Sequence, residues 1–165
     1  MDRLILFRHG KAEPDSASGD DFDRRLAPRG QEESAEMGAH LAGLGFTPDL
    51  ALVSPAQRTR DTWASLQGAF PDTEMRIEEH LYHADSGTLR AAAGKAGEGR
   101  RTLMIVGHNP GLQELTIQLL REGGAPLGLI GKAQRNFPTA AAAVFLIDAN
   151  GRPHYDGLFF PGRHH

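Results

Sequence analysis

No cysteine occurs in the 165 residues, so neither disulfides nor thiolate metal sites are open to this chain, and nothing argues for export. No apolar run approaches the ~20 residues that a membrane-spanning helix needs. The opening Met1-Asp2-Arg3-Leu4 lacks the charged, apolar and small-residue succession of a signal peptide. The expected location is therefore the cytoplasm, away from any membrane. An excess of positive charge is also missing. The net charge is -3, which speaks against a nucleic-acid partner and requires any anion site to be a focused pocket. What remains, 39% hydrophobic and 24% charged residues, is the balance of a folded globular protein long enough to bury a sizeable core.

Short apolar runs alternate with helical periodicity along the chain. Leu4-Ile5-Leu6-Phe7, residues 49–53 and residues 102–106 read as strands, with a weaker one over 74–77. Helices are expected over 28–44, 56–70, 87–96 and 110–120. Residues 15–25 and the glycine-rich 123–131 read as loops, and 140–147 with 153–160 form a terminal hairpin around Asn150-Gly151. With neither repeat nor linker in sight, the expectation is a single domain over 1–165. Strands alternating with helices make it α/β with a mostly parallel sheet.

In open sheets of this kind ligands bind beyond the carboxyl ends of the strands. The first strand ends in Arg8-His9-Gly10, the second in Ser54-Pro55-Ala56-Gln57-Arg58-Thr59, and the strand at Leu103 in Gly107-His108-Asn109-Pro110. Ser54 reads as a helix N-cap, Pro55 as the first helical residue and Gln57 as the far half of a capping box. Asn109-Pro110 opens the later helix in the same way. Arginines beside helix N-termini attract anions, phosphate above all. Any one strand end alone would pass as a capped surface loop, but three supplying the same residue types point to one site.

Together, "RHG" at Arg8, "SPxxRTxxT" with Ser54, Pro55, Arg58, Thr59 and Thr62, and "GHNP" at His108 resemble the histidine phosphatase superfamily. Pro28-Arg29-Gly30 after Leu26 is a further similar stretch, although Ala27 stands where threonine is usual. The short chain is similar to the SixA-like phosphohistidine phosphatase branch. The resemblance implies a phosphoglycerate mutase-like fold, a three-layer α/β/α sandwich. It further implies that His9 attacks phosphorus and carries the phosphoryl group, that Arg8 and Arg58 hold the phosphoryl oxygens, and that His108 stabilises charge in the transition state. No metal or other cofactor is implied. Such chemistry needs positioning and electrostatics more than covalent help, and a neutral imidazole is a competent nucleophile near pH 7.

Members that cleave phosphate monoesters use a carboxylic acid to protonate the departing alcohol. Here Glu79 is the first candidate and Asp85 the second, but their surroundings match the acid-bearing motif poorly. Without a positioned acid, an imidazole leaves far more easily than an alkoxide. The expected substrate is therefore a protein phosphohistidine, on a partner such as a histidine phosphotransfer domain, with a small phosphorylated metabolite as the alternative. Three rival readings fit the sequence less well. His80, His83 and Asp85 cluster as in a metal site but lack a zinc signature. Gly131-Lys132 fails as a P-loop because Ala133 and Pro126 stand at its key positions. A phosphate-binding adaptor would need the arginines yet have no use for His9. The terminal His164 and His165 are given no role.

Overall fold

A strand covered on both faces needs an unbroken apolar run, and the central strands have that character. A computed structural model describes residues 1–162; His164 and His165 lie outside them. Strands β1 (Arg3–Arg8), β2 (Leu50–Val53), β3 (Glu74–Ile77) and β4 (Thr102–Gly107) run parallel, and β5 (Ala142–Ile147) and β6 (Pro153–Phe159) form the antiparallel terminal hairpin. The order across the sheet is β3-β2-β4-β1-β5-β6.

Because successive strand residues point to opposite faces, each central strand feeds two cores. Ile5, Phe7, Val53 and Val106 pack against Met37 and Leu41 of α1 (Pro28–Gly43) and against Trp63 and Leu66 of α2 (Gln57–Leu66). Leu4, Leu6, Leu52 and Ile105 face the other way, onto α3 (Ser86–Ala96), α4 (Gly111–Glu122) and α5 (Leu127–Arg135), where Leu89, Leu112, Leu115 and Ala133 meet them. The expected three-layer α/β/α arrangement with a mostly parallel sheet is what forms.

Two elements differ from expectation. Residues 123–131 are not loop throughout, because α5 begins at Leu127 despite Gly128 and Gly131. Glycine in a helix costs about 1 kcal/mol against alanine, and packing outweighs that. Ile130 and Ala133 are buried, Lys132 lies 4.6 Å over the Phe160 ring, and Gln113 donates to the Ala133 carbonyl at 2.8 Å. The second helix stops at Leu66 rather than Phe70, and Phe70 still reaches the core from the turn that follows.

The pairing register sets the site. Arg8 lies opposite Gly107, and Val53 opposite Val106. The ladder runs one step further: His9 N–H donates to the Gly107 carbonyl and Ser54 N–H to the Val106 carbonyl, both at 3.1 Å. The three motif-bearing strand ends are therefore immediate neighbours.

Candidate active site

His9, Arg8, Arg58 and His108 converge at the carboxyl ends of β1, β2 and β4. The His9 and His108 rings stand 5.3 Å apart between centroids. His9 Nδ1 lies 2.7 Å from the Gly10 carbonyl. A carbonyl only accepts, so Nδ1 carries the ring hydrogen and Nε2 keeps its lone pair. Burial, reinforced by the charges of Arg8, Arg58 and Arg24, lowers the His9 pKa to about 3 against the pull of the Gly10 hydrogen bond, so the ring is neutral near pH 7. His108 falls to about 2, chiefly through burial, with His9 and Arg58 adding to it.

Arg58 is 3% exposed, on the first turn of α2. Its Nη1 donates to the Asp21 backbone carbonyl at 2.9 Å and its Nη2 to Asp21 Oδ2 at 3.1 Å. Arg8 is held from the opposite side, Nη1 donating to the Phe137 carbonyl at 3.0 Å, an oxygen that also accepts from Asn109 Nδ2 at 2.9 Å. Burial and the nearby Arg58 charge pull the Arg8 pKa below its usual range. Three buried nitrogens around His9 have no hydrogen-bond partner among the described residues: Arg8 Nε, Arg58 Nε and His108 Nδ1. The two guanidinium nitrogens are donors, unsatisfied buried donors are costly, and charged donors of this kind suit an oxyanion.

Each remaining letter of the second motif has a task. Thr59 Oγ1 lies 2.7 Å from both the Ser54 and Ala56 carbonyls and tightens the turn into α2. Thr62 Oγ1 donates to the Arg58 carbonyl at 2.7 Å and accepts from Gly10 N–H at 3.0 Å, tying α2 to the loop after β1. The capping expected of Ser54 is not made. The residue before α2 is Ala56 with no side-chain cap, Gln57 donates to Asp61 instead, and the Ser54 hydroxyl sits 2.7 Å from His108 Nε2. Likewise α4 begins at Gly111 after Pro110, and Asn109 turns its amide to Phe137 rather than capping.

Gly10 owes its place to packing: a Cβ there would stand 2.6 Å from the Gly30 carbonyl and 2.7 Å from Ser34 Oγ. Gly30 is more restricted still, with a Cβ falling 2.2 Å from the Lys11 carbonyl. Together these glycines let α1 press against the turn that carries His9.

Glu79 is exposed on a short 3-10 turn (Glu79–Leu81), and its side chain makes no hydrogen bond or ion pair with the described residues. Asp85 is the N-cap of α3, accepting from Thr88 N–H at 2.8 Å. The carboxylate that does reach the site is Asp21, which composition alone placed in a solvated loop. Besides Arg58 it accepts from the Tyr82 hydroxyl at 2.7 Å, lies 3.4 Å from His83 Nε2, and pairs with Arg24 at 3.1 Å. The Tyr82 hydrogen bond, with the charges of Arg58 and Arg24, lowers its pKa to about 2. Tyr82 and His83 complete the wall, their rings 5.7 and 5.5 Å from that of His108. No signal short of long-range pairing would have found Asp21, Tyr82 or Phe137. Of the suggested metal cluster, His83 faces Asp21, His80 faces Glu78 and Asp85 caps α3; no group of three or more His, Asp or Glu among the described residues could hold a metal ion. Gly131-Lys132 lies within α5.

Elsewhere, a cavity of about 630 Å³ opens at the opposite end of the sheet between Met1, Leu4, Leu115 and Ile147 and holds none of these residues. No helix among the described residues is long and apolar enough to cross a membrane.

Comparison with known proteins agrees with the geometry. The family described as histidine phosphatase superfamily (branch 1) matches residues 4–102. The uncharacterized protein Rv1276c of Mycobacterium tuberculosis is 35% identical over 141 residues, 85% of this chain and 86% of that one. A structure assigned to the phosphohistidine phosphatase SixA of Agrobacterium tumefaciens superposes with a TM-score of 0.85 at 29% identity, covering 97% of this chain and 98% of the other. A second so assigned, from Nakamurella multipartitia, gives 0.84 at 26% identity, covering 97% and 96%. By these matches the chain belongs to branch 1 of the histidine phosphatase superfamily, among its SixA-like members, and is a phosphatase hydrolase.

Proposed function

We propose that this phosphatase removes phosphate from protein phosphohistidine through a phosphoryl-His9 intermediate. The observation that carries the reading is the protonation pattern of the site. His9 and His108 are held neutral and Asp21 is held ionised, so none of these groups is poised as a carboxylic acid to protonate an alkoxide. An imidazole needs no such acid when its far nitrogen carries a proton, since it departs as a neutral ring. The likeness to SixA structures supports the same substrate class.

In this mechanism Arg8, Arg58 and His108 clamp the phosphoryl oxygens and His9 Nε2 directs its lone pair at phosphorus. The new P–Nε2 bond forms as the substrate P–N bond breaks, its electron pair going to the leaving imidazole. Water then attacks the same phosphorus, breaks the P–Nε2 bond and yields orthophosphate and free His9. The Gly10 carbonyl serves both steps by accepting from Nδ1–H as the ring gains positive character.

The test is phosphate release, in the presence of chelator, from a phosphohistidine protein such as a phosphorylated histidine phosphotransfer domain and from simple phosphomonoesters, with His9→Ala as the blank. Rapid release confined to phosphohistidine is expected. Preference for alkyl phosphates would overturn the substrate assignment, and undiminished turnover by His9→Ala would overturn the nucleophile.

A further inference from the structure

Ser54 is fully buried, and its hydroxyl lies 2.7 Å from Nε2 of the equally enclosed His108. A neutral imidazole has one N–H and one lone pair, so this contact is made in one of two ways. In the first, His108 donates from Nε2 to the serine oxygen. The serine hydrogen then has no acceptor among the described residues, and Nδ1 keeps a bare lone pair that would repel a phosphoryl oxygen bound beside the ring. In the second, the hydroxyl donates to Nε2. Nδ1 then carries the hydrogen and, having no other partner among the described residues, keeps it free for an oxyanion bound near His9, whose ring stands 5.3 Å from that of His108. Once an oxyanion is bound beside the ring, only the second arrangement gives every hydrogen a partner, and it sets a donor where the first sets a repelling lone pair.

We propose that Ser54 is a positioning residue that fixes His108 as its Nδ1–H tautomer and so converts the ring into a donor for the phosphoryl group. The assignment rests on His108 facing the phosphoryl group in the reaction proposed above. The surrounding motif supports it mechanically. Thr59 Oγ1 sits at the Ser54 carbonyl, and Ser54 N–H is tied to Val106, one residue before the Gly107-His108 turn. The hydroxyl is thus set by the same two strand ends that it bridges.

The experiment is nitrogen-15 NMR of the side-chain imidazoles in the folded chain at neutral pH, where protonated and bare ring nitrogens resonate far apart, with a His108→Gln spectrum to assign the signals. The expected result is a single His108 tautomer with hydrogen on Nδ1. In Ser54→Ala that preference should relax toward a mixture, and kcat should fall about 10- to 100-fold, by analogy with the loss of partners that orient metal-bound histidines. Hydrogen on Nε2 in the unmodified chain would overturn the proposal even if Ser54→Ala failed to fold. So would a folded Ser54→Ala protein that kept both the Nδ1–H signal and full turnover. The tautomer is read without substrate, so failure to hydrolyse phosphohistidine would sink the substrate reading and leave this one standing.

Discussion

Asp21 grips Arg58 through two hydrogen bonds, Nη1 to its carbonyl at 2.9 Å and Nη2 to its carboxylate at 3.1 Å. The guanidinium that a phosphoryl group needs is thus already engaged by a carboxylate, on a short turn that also holds the site through the Tyr82 hydroxyl, His83 and the edge-on packing of Phe22 against Tyr82 at 5.0 Å. The contact leaves Arg58 Nε without a partner among the described residues, but it also places a negative charge beside the guanidinium that an anion would use.

Removing that charge should therefore strengthen anion binding. In Asp21→Asn the neighbouring field becomes more positive, and inhibition by orthophosphate should tighten several-fold, about 1 kcal/mol for one partly exposed charge. Competitive inhibition constants read this directly. Weaker inhibition in the variant would mean that Asp21 chiefly orients the guanidinium and does not oppose the ligand.

Glu79 has no partner to orient it, and its side chain is open to solvent. Glu79→Gln should leave kcat on phosphohistidine and on phosphomonoesters within about twofold, in line with surface substitutions away from structural features. A selective loss on alkyl phosphates would identify it as the acid.

The reach of the sequence is clearest where the chemistry is local. Arg8-His9-Gly10 directly continues a strand, so finding the strand finds the residues, and the apolar runs announce parallel pairing. The register that sets His9 beside His108 follows once β4 lies between β2 and β1. What stayed hidden is long-range. Asp21 sits 37 residues from Arg58 in an acidic, glycine-containing stretch that looks solvated, and Phe137 contributes only a backbone oxygen. Ser54 reads locally as a cap because a serine before a helix is usually one, but its actual partner lies 54 residues away. Helix α5 was missed because its glycines outweigh any local signal until its buried face is known.

Acid should destabilise the fold in a predictable window. The His9 and His108 pKa values lie near 3 and 2 in the folded chain, against about 6.5 when unfolded. Below 6.5 the unfolded state takes up protons that the folded state refuses, so stability falls as pH drops from about 6.5 toward 3 and levels off beneath the folded values. Asp21, shifted to about 2, acts in the same direction further down, its contribution being lost as pH falls from about 4. Urea midpoints should decline between pH 7 and pH 5, amounting to roughly a few kcal/mol by pH 4. A flat profile would show that the two rings are not held neutral.

The packing of α1 against the nucleophile's turn gives the last test. In Gly30→Ala the new methyl carbon would fall 2.2 Å from the Lys11 carbonyl and 2.7 Å from its nitrogen, so backbone has to move. Overpacking of this kind costs about 1–3 kcal/mol, and more where backbone is the obstacle. Lys11 follows Gly10 directly, and Gly10 N–H is bonded to Thr62 while its carbonyl orients His9, so the displacement passes straight to the nucleophile. The variant should therefore lose both melting temperature and kcat. Gly43→Ala, in the same helix with open space around the added carbon, should lose neither. Equal behaviour of the two variants would show that the close approach at Gly30 does not hold His9 in place.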